Sequence, residues 1–350
     1  MNKRKIAFFI FFIALSVTLA YTGFAQESPF KSSGKGTLKA AEVNKHPIMP
    51  WWMPVTPEAQ NYYYRNIDMV AVAFSTDQDK AAALVPEELD LIAIPGMPGQ
   101  SAASLIFAKY RENDQTGPYM EAIVTIPVLF NGSPFLYVAA IYVDTDSALT
   151  AGREFGGYPK KIADITMYNY GNLFLSRLCR ATMQEKTADP QFYELASSNV
   201  TRGGILFKVP LPAKNIKQLP FPYNMLLPLP KATGKPQPYI LPTIGLRTIP
   251  GVGKNSNHAE VQQLIGTPWV ITKARVYAGL NPSIDILPSK EDPIAQKLPI
   301  NMVLGAFILR GDMHTDPNAW LLLVDYKKAK QEKPQKSKKS KKSKKSKKKK

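Results

Sequence analysis

Gly152-Arg153-Glu154-Phe155-Gly156-Gly157-Tyr158-Pro159-Lys160-Lys161-Ile162-Ala163 places two adjacent lysines after a Gly-Gly-Tyr-Pro turn and between apolar, strand-like segments. Paired ammonium groups repel, so each makes the neutral form of the other easier to reach, and burial against Phe155, Tyr158 and Ile162 acts in the same direction. An ordinary lysine, with a pKa near 10.4, is neutral in less than about one part in a thousand at pH 7. A neutral lysine attacks carbonyl carbons and forms Schiff bases. Taken alone the pair is weak evidence, because the body of the chain carries 18 lysines and a pair on a turn is ordinarily solvated.

Outward from this run, residues 69–74, 122–126, 135–143, 204–209 and 269–278 are short and rich in β-branched or aromatic side chains, which predicts strands. Asn131-Gly132-Ser133-Pro134 predicts a tight turn, and hence a hairpin, between two of them. Helical signals are few. Thr76-Asp77 is placed to cap a helix over 78–84, Asp146 a helix over 147–152 that leads into the lysine turn, and 257–265 is a third candidate. Many of the 30 prolines fall between 210 and 250, which predicts a long loop or arm packed on the body, without helices. Many short strands with few helices predict a mainly β protein, an antiparallel barrel or sandwich with peripheral helices.

The two ends differ from the middle. Lys3, Arg4 and Lys5 precede an apolar run over 6–21, and Gly23-Phe24-Ala25 puts small residues where a signal peptidase cuts. The expectation is a cleaved signal peptide over 1–25 and a periplasmic or secreted protein, with an uncleaved membrane anchor as the alternative. Residues 26–45 read as a flexible linker, 46–326 as one globular domain, and 327–350 as a disordered Lys/Ser-rich tail. The formal charge of +18 is concentrated at the ends, since 15 lysines and one acid lie from Lys327 onward. The body, with 27 basic and 26 acidic side chains, is almost neutral and is not built for nucleic acid. The tail is a candidate tether to an anionic surface or polyanion. The single cysteine, Cys179, reads as a small buried hydrophobe.

Gly152-Arg153-Glu154-x-x-x-Tyr158-Pro159-Lys160-Lys161 resembles the signature of the acetoacetate decarboxylase family. Thr76-Asp77 with Val85-Pro86-Glu87, Glu121-x-x-x-x-Ile126-Pro127-Val128 followed by Phe130-Asn131-Gly132, and Leu298-Pro299 before a strand at 302–309 are similar to further family segments, so that the likeness covers roughly 60–326. The resemblance implies that Lys160 forms the Schiff base, that Lys161 lowers its pKa, and that Glu121 faces the pocket. In that family a cationic neighbour activates such a lysine. It also implies a homo-oligomer, a small keto acid or other carbonyl substrate, and no metal or organic cofactor.

Two positions depart from the family pattern. Ile67 stands where the family has a carboxylate-binding arginine, with Arg65 two residues earlier as a candidate substitute on the same strand face. Leu105-Ile106 stands where a second pocket glutamate is expected. The readings left open are a decarboxylase of a β-keto acid, a Schiff-base aldolase or hydratase-dehydratase, and a non-catalytic exported barrel that binds an apolar carbonyl ligand. His46, His258 and His314 have no metal spacing, Gly251-Val252-Gly253-Lys254 lacks the spacing of a phosphate loop, and no Ser-His-Asp order is present.

Overall fold

The computed structural model describes residues 62–327, apart from 155, 182–191, 221–222 and 251–258. The expected signal peptide and linker, nearly all of the basic tail, His46, His258 and the Gly251–Lys254 run lie outside the described residues.

Fourteen strands dominate the described residues. They are β1 (Tyr62–Asp77), β2 (Asp90–Leu91), β3 (Gln100–Tyr110), β4 (Glu112–Asn113), β5 (Tyr119–Phe130), β6 (Ser133–Val143) and β7 (Lys160–Ile162) in the first half. The second half holds β8 (Asp164–Tyr170), β9 (Leu173–Ala181), β10 (Phe192–Val209), β11 (Tyr239–Pro250), β12 (Ala259–Ile286), β13 (Met302–Thr315) and β14 (Leu321–Asp325). Among the described residues four short helices accompany them: α1 (Gln78–Ala82), α2 (Asp146–Glu154), α3 (Tyr223–Leu226) and α4 (Ile294–Lys297).

The order β11-β6-β5-β3-β1-β13-β12 closes into a ring, because the first half of β12 pairs with β11 while its second half pairs with β13. Beyond Ala274 the same strand pairs with β10, and β9 and β8 continue from there. This second layer covers the outside of the ring, where Ile165, Leu178 and Leu195 pack with Val70, Phe107 and Val124. The alternation of side chains along a strand then explains why β1 reads as a nearly unbroken apolar run. Ile67, Met69, Ala71 and Ala73 face the interior of the ring, while Val70, Val72 and Phe74 face the second layer.

The mainly β barrel-and-sandwich class is as expected, with two parallel pairings, β6–β7 and β6–β11, among the otherwise antiparallel ones. All five expected strands are present, and the Asn131-Gly132 turn joins β5 to β6 with φ of 50° and 78° at its two residues, the left-handed pair such a two-residue hairpin requires.

Three local expectations are corrected. The described part of the helix expected over 257–265 is the start of β12, where Val261–Gln263 pair with Arg247–Ile249. Non-local pairing overrides a weak helical pattern. The proline-rich arm contains α3 and, from Tyr239, the ring strand β11, in which Pro242 lies opposite Pro268. Asp77 does precede α1, but its carboxylate makes no cap bond; it pairs with Lys80 at 3.2 Å and accepts from Asn301 Nδ2 at 2.8 Å.

Candidate active site

β6 is the ruler on which the site is built. Glu121 of β5 lies opposite Val143, and Lys160 of β7 lies opposite Ile141. Positions 141 and 143 share one face of β6, so the two partners project together into the ring. Lys160 Nζ stands 3.4 Å from Glu121 Oε2, and each side chain is only 7% exposed. The ammonium also sits 5.5 Å from the centre of the Tyr119 ring, a cation–π distance. Tyr110 donates to the other carboxylate oxygen, Oε1, at 2.5 Å.

The loop before β7 is shaped around this lysine. α2 begins with Asp146, whose carboxylate accepts from the Ser147 amide at 2.7 Å, and the Gly152 carbonyl accepts the Tyr158 amide at 3.0 Å. A Cβ on Gly152 would lie 2.8 Å from Lys160 Nζ, so the path of the lysine requires glycine there. Gly157 has φ of 69°, and a Cβ there would press on Arg247 Cβ at 2.7 Å. Tyr158 is then fixed by a relay: Trp269 Nε1 donates to its hydroxyl at 3.2 Å, and the hydroxyl shares a 2.7 Å bond with Thr243, which donates to the Thr267 carbonyl at 3.2 Å.

These groups border a cavity of about 60 Å³, room for a few water-sized groups. Its walls are mostly apolar, including Met69, Ile106, Ile123 and Val138, and its charged side chains are Lys160 and Glu121. Burial, reinforced by the Glu121 charge, pushes the hydroxyls of Tyr64, Tyr110 and Tyr119 above the ordinary tyrosine range. They therefore keep their protons at neutral pH.

Lys161 is placed differently from the expectation. Neighbours on a strand face opposite ways, and Lys161 leaves the cavity to bond Asp292 Oδ1 at 2.5 Å with its side chain 47% exposed. Asp292 is fully buried and also accepts from Arg180, Tyr142 and Tyr193 at 3.0–3.1 Å. Burial pushes its carboxyl up, but the bonds from Lys161, Arg180 and Tyr142 outweigh this and hold it below the usual range. The second lysine is thus ion-paired on the far side of β7, and the partners Lys160 meets are the Glu121 carboxylate and the apolar walls of the cavity.

Arg65 is also not at the site. It forms an exposed pair with Asp114 at 2.5 Å. The register of β1 shifts between Tyr64 and Ile67, and Asn66 has φ of 53°. This bulge breaks the alternation that would have put Arg65 on the face of Ile67. Ile67 and Leu105 are buried and apolar, and Ile106 lines the cavity.

Sequence reasoning missed Tyr119 and Tyr110. Tyr119 was within reach, two residues before Glu121 on the same strand; Tyr110 needed the β3–β5 register, in which it pairs with Tyr119. Among the described residues no cluster of three His, Cys, Asp or Glu side chains is placed to hold a metal ion. Cys179 is buried, as expected.

The family model for Acetoacetate decarboxylase (ADC) matches residues 49–321. The chain belongs to the acetoacetate decarboxylase family. It is similar to the acetoacetate decarboxylase of Ralstonia nicotianae, 33% identical over 115 residues that span 33% of this chain and 43% of the relative. That of Burkholderia lata is 28% identical over 177 residues, 46% of this chain and 68% of the relative. The fold is that of solved acetoacetate decarboxylases: one matches with a TM-score of 0.60 at 20% identity, covering 83% of this chain and 99% of the other. The enduracididine biosynthesis enzyme MppR, complexed with pyruvate, shares the fold at a TM-score of 0.52 and 15% identity, covering 77% and 93%. Within this acetoacetate decarboxylase family member, Lys160 and Glu121 occupy the cavity together, whereas Lys161 and Arg65 lie outside it.

Proposed function

We propose that the protein is a Schiff-base lyase that decarboxylates a β-keto acid. The observation that carries this reading is a buried lysine 3.4 Å from a buried carboxylate, both in a small apolar cavity. The neutral amine of Lys160 attacks the ketone carbon, and the resulting carbinolamine loses its hydroxyl as water, with Glu121 transferring the proton. The iminium charge rests between the Glu121 carboxylate and the face of Tyr119. The bond to the carboxylate carbon then breaks; its electron pair moves into the enamine and carbon dioxide leaves. Protonation of the enamine carbon and hydrolysis release the ketone and restore the amine. Tyr110, donating to Oε1, keeps Glu121 turned so that Oε2 faces the lysine.

Borohydride with acetoacetate should leave a reduced adduct on Lys160, found by peptide mass spectrometry, and none in Lys160→Ala. Failure to trap an adduct with any of a broad set of ketones and keto acids would favour a non-catalytic binding barrel. A second reading has its own support: among the described residues, the cavity lining offers a substrate carboxylate no cation other than Lys160. The same iminium can serve a retro-aldol cleavage or a dehydration. Release of carbon dioxide during turnover separates the two, since neither alternative produces it.

A further inference from the structure

A second space adjoins the cavity. It is a groove of about 410 Å³, bordered by the proline-rich arm at Pro228–Pro230, by Pro127 and Pro134, and by the start of β11. Among the described residues no charged side chain lines it. Six of its wall residues are prolines, which gives rigid, apolar walls with no free amide donors from those positions.

The groove and the cavity meet at Leu136 and Leu241, which border both. Their position follows from the parallel pairing of β6 with β11, where Leu136 lies opposite Thr243. On one face of β6, Pro134, Leu136 and Val138 lead inward; on β11, Tyr239, Leu241 and Thr243 do the same. In each row the first residue borders the groove, the second both spaces and the third the cavity. Four residues of strand span ~13 Å. Both leucines are half-buried, so their rotamers decide whether the two spaces are one.

A third space of only about 30 Å³ shares Tyr119, Tyr158, Lys160 and Trp269 with the cavity and is also bordered by Gly152, Thr116 and Trp320, none of which lines the groove. A carbonyl carbon held at Lys160 therefore borders two distinct spaces beyond the cavity, a small pocket and a long apolar channel.

Resting on the lysine reading above, we propose that the substrate is a β-keto acid with an extended alkyl chain. Its carboxylate-bearing carbon points to the small pocket, and its chain passes between Leu136 and Leu241 into the proline-lined groove. The bonds made and broken are those already described, and only the group on the far side of the ketone changes.

The test compares 3-oxododecanoate with acetoacetate by enzyme-dependent carbon dioxide release, and 2-undecanone with acetone by borohydride trapping on Lys160. The expected result is a kcat/KM ratio favouring the long chain by at least about tenfold, in the range that a filled apolar pocket supplies. Leu136→Trp and Leu241→Trp, which fill the neck, should each lower that ratio by at least about tenfold. If acetone is trapped but the wild-type ratio favours acetoacetate or is even, the long-chain inference is overturned while the lysine chemistry stands. If neither ketone is trapped, both fall. Should the variants fail to fold, the wild-type ratio alone decides.

Discussion

At the scale of single residues, Gly152 shows why the motif has its spacing. It occupies the place a methyl group would take from Lys160, at 2.8 Å from Nζ, and it does so inside α2. Those two facts oppose each other in a Gly152→Ala variant. Alanine favours a helix over glycine by roughly 0.5–1 kcal/mol, which offsets part of the roughly 1–3 kcal/mol that overpacking against Lys160 costs, so thermal stability should fall only modestly. The added methyl group pushes the lysine away from Glu121, and a displacement near 1 Å costs on the order of a hundredfold in rate. The expected outcome is a variant with a modestly lowered melting temperature and trapping by borohydride slowed about a hundredfold. Equal losses of stability and rate would mean that the glycine serves the turn and not the lysine. The same scale explains what was legible: Lys160 and Glu121 were read from spacing and resemblance, and both reach the cavity. Arg65 was misplaced because a bulge at Asn66 cannot be seen in alternation alone, and Lys161 because adjacency in sequence is opposition on a strand.

At the scale of elements, β7 is only three residues long, and what holds it is as much the ion cluster behind it as its pairing with β6. Asp292 ties Lys161 of β7 to Arg180 of β9, Tyr142 of β6 and Tyr193 of β10. Removing one partner of a fully buried ion pair typically costs about 3–5 kcal/mol, but Lys161 is half-exposed and Arg180 partly so, so Asp292→Asn should lose less, about 1–3 kcal/mol at neutral pH, measured by urea unfolding. The sign of the pH effect follows from the depressed carboxyl of Asp292. Its stabilisation is present above the unfolded-state pKa near 3.9 and is lost as pH falls through the lower folded value. The difference between wild type and variant should therefore shrink below about pH 4; a difference independent of pH down to strong acid would remove Asp292 from this role. Elements were legible where one strand carried its own pattern, as in β1 and β5. The opening of β12 and the strand β11 were not, because each is a strand chiefly by virtue of the other, with a pairing that runs from Tyr239–Ile271 to Pro250–Ala259.

At the scale of the whole molecule, ring closure creates two interiors of different character. The space between the ring and its outer layer is filled by aliphatic and aromatic side chains such as Val72, Phe107 and Leu178. The interior of the ring holds Tyr64, Tyr110 and Tyr119, packed in tilted and edge-on pairs at centroid distances of 4.7–6.4 Å around Glu121. Composition announced tyrosines but not their gathering, which depends on three strands meeting in register. Their hydroxyls are pushed up by burial and then by the Glu121 charge, and this fixes the alkaline limit of the fold. A group with a raised folded pKa contributes fully below its unfolded value and loses that contribution as pH rises toward the folded one. Above about pH 10 the unfolded chain releases these protons while the fold retains them. Stability should then decline by about 1.4 kcal/mol per pH unit for each such tyrosine. Urea midpoints across this range should show a steep fall in the wild type. In Tyr119→Phe the slope should be shallower by about one tyrosine's share, even though the variant starts from its own stability at neutral pH. An unchanged slope would place the Tyr119 hydroxyl in contact with water, and with it the cavity that Lys160 shares.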